Sequence, residues 1–230
     1  MMNHQPETLI KSQKTALLFG PTGLVGSVVL DILANHDTYS RVVVFVRKPM
    51  IYDNPKVKVI QINFENLTDY AQLIQGNDLF ICLGTTMHKA GSRAAFVKVD
   101  LTYNLIISRI AADNGANQLI LLSAVGAKAD STFFYNRVKG ALEDQVKSLP
   151  FWAIHILRPA VLLGERQERR VGEEIAGKLS SWINKRLVGL GRYTPVRAQQ
   201  VAQTMVNVAG SLVPGIHYYS SDQIYSLSSS

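Results

Sequence analysis

The sequence predicts an α/β protein, a doubly wound parallel sheet with a small C-terminal helical cap, and three observations carry that prediction. Short apolar runs recur six times along the chain. Segments of helical period separate them, the alternation expected of βαβ units. A glycine-rich turn, GPTGLVG, follows the first apolar run directly.

Taken in order, TALLFG (15–20) reads as a short buried strand and residues 24–34 as the helix after it. RVVVFVR (41–47) is apolar on both faces, as a parallel strand covered by helices must be. VKVIQI (57–62), DLFICLG (78–84), QLILLSAVG (118–126) and WAIHILRP (152–159) repeat the strand signal, with helical stretches at 67–74, 93–114 and 133–149. Beyond Pro159 the pattern predicts helices at about 172–187 and 197–208, then a strand pair around HYYS and QIYSL. Residues 160–230 are too few for a second domain with a large core and are expected to cap the substrate side of the sheet. The expectation is one domain over 1–230, with a polar extension at 1–14 and a flexible SLSSS at the end.

Bulk properties narrow the function classes. At 230 residues and 47% hydrophobic composition the chain can fill one sizeable core. No apolar run approaches the eighteen or so residues of a membrane span, and the start lacks the apolar centre of a secretory signal, so the expected location is cytoplasmic. Cys82 is the single cysteine, which excludes an internal disulfide; its setting in LFICLG marks a buried strand residue rather than a reactive thiol. The five histidines are scattered without HxxxH or Cys/His spacing, and no metal is expected. The net charge of +7 is spread along the chain, with a modest cluster at Arg166, Arg169 and Arg170 and no basic stripe interleaved with aromatics. That distribution argues against nucleic acid; a solvated surface is the simplest reading, and an anionic cofactor or substrate the next. A small-molecule substrate is the expected partner, with a protein partner or homo-oligomer left open.

The glycine turn carries the first functional signal. Gly20, Thr22, Gly23, Leu24, Val25 and Gly26 lie between a buried strand and a helix, where backbone N–H groups and the helix amino terminus can receive a pyrophosphate. This is the Rossmann arrangement for a dinucleotide, the alternative being a turn with no ligand. The second strand ends in VFVRKP, so Arg47 and Lys48 stand where an acidic residue would bond a ribose 2′-hydroxyl. A guanidinium there pairs with a 2′-phosphate, which favours NADP(H) over NAD(H). Asn63, after the third strand, can reach toward adenine. Leu83, Gly84 and Thr85, in CLGTT after the fourth strand, fall at the sheet's switch point and can line the ribose and nicotinamide side, unless they form a plain strand-to-helix turn. His88 in the same loop reads as an exposed histidine.

FFYNRVKG supplies the second signal. Nine tyrosines and twelve lysines give about half a YxxxK match by chance, so context must separate the two matches present. Tyr52 and Lys56 flank Asp, Asn and Pro in a turn and are set aside. Tyr135 and Lys139 fall on a helix after the fifth strand, where residues four apart share a face. An ammonium about 4 Å from a phenol at an effective dielectric of about 20 supplies about 4 kcal/mol, the order needed to bring a phenol to near-neutral proton exchange. Ser123, at the end of the fifth strand, could donate a hydrogen bond to a carbonyl or developing alkoxide. Against this, Phe133 and Phe134 offer an aromatic patch in which Tyr135 is merely core.

Together with these motifs, CLGTTMHKAG, LLSAVGA, FFYNRVKG and LRPAVLLGERQERR resemble the short-chain dehydrogenase/reductase superfamily. Within it they look most like the atypical branch of HIV Tat-interacting oxidoreductase-like proteins and their bacterial NAD(P)-binding relatives. The resemblance spans about residues 15–172. It implies NADPH binding through Gly20 to Gly26, Arg47, Lys48 and Leu83 to Thr85, with Tyr135 as proton donor or acceptor. It further implies Lys139 as its partner and nicotinamide-ribose ligand, and the Arg158 to Leu163 segment, with Pro159 and Leu162, beside the nicotinamide. One position departs: the human member has a second serine where this chain has Ala124, which leaves open which serine the site uses. The chain is thus expected to be an NADP(H)-dependent oxidoreductase acting on a carbonyl or alcohol. The alternatives are an NADPH-binding regulatory or interaction protein with little turnover and, last, a nucleotide-sugar epimerase or dehydratase, for which the segment after the sixth strand is short.

Overall fold

The computed structural model describes residues 13–160, 162–163 and 191–228. The expected extension up to residue 12, the arginine cluster at 166–170 and the helix at 172–187 lie outside the described residues. In strand β1 (Lys14–Phe19), Ala16 and Leu18 enter one core while Leu17 and Phe19 enter another, all four fully buried. A strand covered on both faces has no polar side to show, which is why its sequence is a run rather than an alternation.

The same rule produces β2 (Tyr39–Val46), β4 (Asp78–Ile81), β5 (Gln118–Leu122) and β6 (Ala153–Arg158), whereas β3 (Val57–Gln61), at the sheet edge, is only partly covered and exposes Lys58 and Gln61. A short strand β7 (Leu162–Leu163) pairs in parallel with β8 (Val196–Arg197), and β9 (Gly215–Ser220) joins the main sheet. That sheet is parallel throughout, in the order β3-β2-β1-β4-β5-β6-β9. Its order reverses between β1 and β4, so the chain leaves these two neighbours toward opposite faces and a crevice opens at their carboxyl ends. The doubly wound sheet predicted from the sequence is the fold observed.

The helices are α1 (Leu24–Asn35), the four-residue α2 (Met87–Ala90), α3 (Arg93–Val97), α4 (Asn104–Asp113), α5 (Phe134–Val146), α6 (Ala198–Gly210) and α7 (Ser221–Leu227). Val25, Val29 and Leu33 of α1 share a core with Val201 and Met205 of α6 on one face of the sheet. Ile107 and Ala111 of α4 share the opposite core with Leu142 and Val146 of α5. At the amino-terminal end of the strands, buried Asp78 accepts hydrogen bonds from Lys14 Nζ (3.1 Å), the Tyr39 hydroxyl (2.8 Å) and Gln118 Nε2 (3.0 Å). One carboxylate therefore ties four adjacent strands.

Three elements differ from the sequence expectation. The helix expected over 93–114 is α3 and α4 joined by a π-helical segment, Lys98–Tyr103. The stretch expected at 67–74 is a 3₁₀ segment, Phe64–Leu73, kinked at Asn66. Of the expected strand pair, HYYS falls in β9 but QIYSL is helical in α7, because the Ser220 hydroxyl and the Gln223 side chain form a reciprocal cap that starts a helix there. No helix of the described residues is long and apolar enough to cross a membrane.

His155, on β6, is fully buried, stacked on His217 of β9 at 5.3 Å, with Nδ1 2.9 Å from the Tyr219 hydroxyl. Burial, then the neighbouring His217, pushes its pKa down from 6.5 to about 4. Between those two values the unfolded chain binds more protons than the folded one, so stability is complete above pH 6.5 and declines as pH falls toward 4. We expect denaturant titrations to record a loss of up to about 1.4 kcal/mol per pH unit in that window, flattened by His155→Gln.

Candidate functional site

The crevice at the switch point is a cleft of about 1120 Å³. Its floor begins where β1 ends and the chain turns at Gly20, whose φ of +85° is left-handed. A Cβ on Gly20 would lie 2.6 Å from the Cys82 carbonyl carbon, and one on Gly26 would lie 2.0 Å from the Gly20 oxygen. Both glycines are required by the protein's own packing. At Gly23 the nearest atom would be 3.4 Å away, an ordinary contact, so the space above the amino terminus of α1 is an open cradle. Gly23 caps that helix with no side-chain bond, and no acidic residue stands in the first turn. Such a terminus has N–H groups and a positive dipole end to offer an anion, so the residues present fit a dinucleotide diphosphate. Thr22, Gly23 and Leu24 are exposed there, whereas the Val25 side chain is buried in the core, which leaves only its backbone to face a ligand.

Arg47 and Lys48 stand exposed on the rim where β2 ends. Among the described residues neither is paired with a carboxylate. Asn63 lines the same cleft, and its Oδ1 accepts the Glu65 N–H at 3.0 Å, so it also caps the 3₁₀ segment. Glu65 is bound by Lys98 and by the Tyr103 hydroxyl, which together hold its carboxyl below the usual range. The cleft wall therefore has a paired acid on one side and two cations on the other.

Leu83, Gly84 and Thr85 line the opposite wall. Behind them Lys139 is buried 2.8 Å from Asp100, a residue that the sequence reading missed. Nothing in VKVDLTYN, where it lies among other polar residues, marked it. Cys82, expected as a buried strand residue, stands one position beyond β4 and is half-buried overall; its thiol faces Met205, and desolvation there pushes it up to about 12. His88 is exposed on α2. Tyr52 and Lys56 lie outside any helix and bond Asp31 and the His36 carbonyl respectively, as expected of a turn.

A second cavity, about 380 Å³, holds Ser123, Ala124, Tyr135, Pro159, Leu162 and Tyr193 on its walls. Tyr135 is 40% exposed, which removes the reading in which it is merely core, and its ring lies 5.7 Å from that of Phe96. Ser123 is buried, and its hydroxyl donates to Glu143. Glu143 in turn receives Arg158 through Nε (3.1 Å) and Nη2, and the Arg158 guanidinium lies over the Tyr218 ring at 4.3 Å. A serine has one hydrogen to give, so toward the cavity Ser123 offers lone pairs and not the donor expected from the sequence. Glu143 was legible as the third member of the series Tyr135, Lys139, Glu143 at four-residue spacing. Arg197 stands exposed at the start of α6, where its backbone N–H donates to the Gln200 side chain.

Comparison with known proteins places the chain in a family. A family model described as NAD(P)H-binding matches residues 20–210. The chain is 36% identical to Protein HTATIP2 of Rattus norvegicus over 183 residues, covering 75% of each protein. It is 30% identical over 207 residues to the mitochondrial Protein FMP52 of Candida albicans, covering 87% of this chain and 90% of that protein. Among solved structures, MoeE5 in complex with UDP-glucose and NAD matches with a TM-score of 0.64 at 15% identity, covering 94% of this chain and 81% of that one, a likeness of fold.

Gly26 and Gly23 should separate under substitution. Gly26→Ala is expected to lower stability by about 1–3 kcal/mol through forced overpacking, read from the denaturant midpoint. Gly23→Ala should leave the midpoint within about 0.5 kcal/mol. Its expected effect is a loss of dinucleotide binding, read by fluorescence titration.

Proposed function

Because this chain belongs to the NAD(P)H-binding family, alongside the HTATIP2 and FMP52 proteins, we propose that it is an NADP(H)-dependent oxidoreductase acting on a small carbonyl or alcohol. One observation carries the reading: the half-exposed phenol of Tyr135 lines a cavity at the same carboxyl edge of the sheet as the open cradle at Gly23. The amino terminus of α1 would hold the diphosphate, and Arg47 and Lys48 the 2′-phosphate that distinguishes NADP(H) from NAD(H). When bound, the nicotinamide supplies or takes the hydride. Tyr135 gives its phenolic proton to the substrate oxygen in reduction and receives one in oxidation. Lys139 follows it by one turn of α5, on the nicotinamide-ribose side. Ser123, its hydrogen already given to Glu143, has only lone pairs for a donor elsewhere on the substrate, since the single proton of the reacting oxygen is exchanged with Tyr135. Tyr193 and Leu162 line the substrate cavity, which supports residues 160–230 as its cap.

The same serine geometry favours a second reading, an NADPH-binding regulatory or interaction protein with little turnover, since Ala124 brings no replacement donor. A nucleotide-sugar epimerase ranks last, since the likeness to MoeE5 in complex with UDP-glucose and NAD is, at 15% identity, one of fold alone. The single cysteine supports a reducing compartment, and we assign the cytoplasm. The relatives named mitochondrial make that organelle the competing location for fractionation to decide.

Arg47→Ala is expected to weaken NADPH binding about tenfold or more while leaving NADH within about twofold, by fluorescence titration. Equal loss of both would remove the basis for NADP(H). In a carbonyl and alcohol screen, Tyr135→Phe should lower turnover about 10²-fold or more with NADPH affinity unchanged. Unchanged turnover would refute the proton-transfer role.

A further inference from the structure

We propose that Asp100 is the positioning residue for Lys139 and that this pair couples the cofactor cleft to the helix of Tyr135, a proposal that rests on the cofactor reading above. The Lys139 ammonium lies 2.8 Å from Asp100 Oδ1, with the two side chains 6% and 1% exposed. At that distance and depth the two form a buried ion pair. At such depth each charge is the other's counter-ion, and removing one strands its partner.

The other carboxylate oxygen has a different task. Asp100 Oδ2 accepts the backbone N–H of Thr85 at 2.8 Å. Asn104, one turn on, donates to the Leu83 carbonyl at 3.2 Å and to the Asp100 carbonyl at 3.3 Å. The loop that lines the cleft and the cation that follows Tyr135 are thus fixed by one residue. A Cβ at Gly84 would lie 3.2 Å from Asp100 Oδ1 and 3.7 Å from Lys139 Nζ. At Gly84, then, the cleft comes within a side chain's width of the ammonium.

The π-helical segment makes this placement. Its i→i+5 bonding widens the turn, which directs Asp100 inward while Lys98 and Tyr103, five apart, both reach Glu65 on the rim. Asp100 therefore sets where the Lys139 charge is presented, at the wall formed by Leu83 to Thr85, away from the phosphate-bearing adenosine half held by α1, Arg47 and Lys48.

The test compares two probes in fluorescence titration and competition: NADPH, and adenosine 2′,5′-bisphosphate, which has the adenosine half and no nicotinamide. Asp100→Asn can still accept from Thr85 but removes the counter-charge. It is expected to weaken NADPH about tenfold or more and to leave the bisphosphate within about twofold. Lys139→Met should do the same. The double variant, which strands neither charge and so protects folding, should bind NADPH no more weakly than Lys139→Met alone. The proposal is overturned if Asp100→Asn binds NADPH as the native protein does, or if both probes weaken in proportion as a damaged fold would give. Losses that multiply in the double variant would overturn it too. If the native protein binds neither probe, the cofactor reading itself fails and this proposal goes with it.

Discussion

The peptide of Gly20 lies so close to that of Cys82 that no Cβ fits between them, and the site is organised around this contact. It brings the turn after β1 against the end of β4, the two strands at which the sheet order reverses. Because the chain leaves each strand toward a different face, the groups that follow diverge: α1 to one side, the π-helical segment and α4 to the other. The crevice is what remains between them. Gly20, Gly23, Arg47, Lys48, Asn63 and Leu83 to Thr85 border it, Ser123 and Tyr135 line the second cavity, and a larger residue at position 20 would separate the walls of the crevice before any chemistry was lost.

Charge inside and around that crevice is sorted rather than uniform. The acids near it are each taken: Asp100 by Lys139, Glu143 by Arg158 and Ser123, Glu65 by Lys98 and Tyr103. Arg47 and Lys48 have no such partner among the described residues. Two of the chain's many cations thus stand uncompensated at the rim of β2, where solvent can hydrate them until an anion arrives, while buried ions are neutralised locally as low dielectric requires.

The strands were legible because a doubly covered sheet leaves an uninterrupted apolar trace, and the glycine turn because its spacing is a backbone requirement. Less was visible where side chains act in pairs from distant segments. Asp100 and Lys139 are 39 residues apart, and nothing in VKVDLTYN alone says that Asp100 faces inward. Ser123 was legible as a strand-end hydroxyl, but the direction of its hydrogen depends on Glu143, on the next helix. QIYSL looked like a strand because it alternates; the cap begun by Ser220 and Gln223 overrode that periodicity. The helix expected at 172–187 lies outside the described residues.

The packing of α1 against α6 joins segments roughly 170 residues apart, and it governs how the chain can mature on the ribosome. Until residues 198–210 have been synthesised, the Val29–Leu33 side of the first helix has no lid, although β1, β2 and β3 could already pair. Loop closure over that distance is slow compared with local pairing, so the nascent chain carries an open apolar face through most of its synthesis. Strand β9, arriving later still, then adds to the edge left by β6. Vectorial synthesis thus lays down the phosphate turn among the first elements of the protein and gives it a completed core among the last.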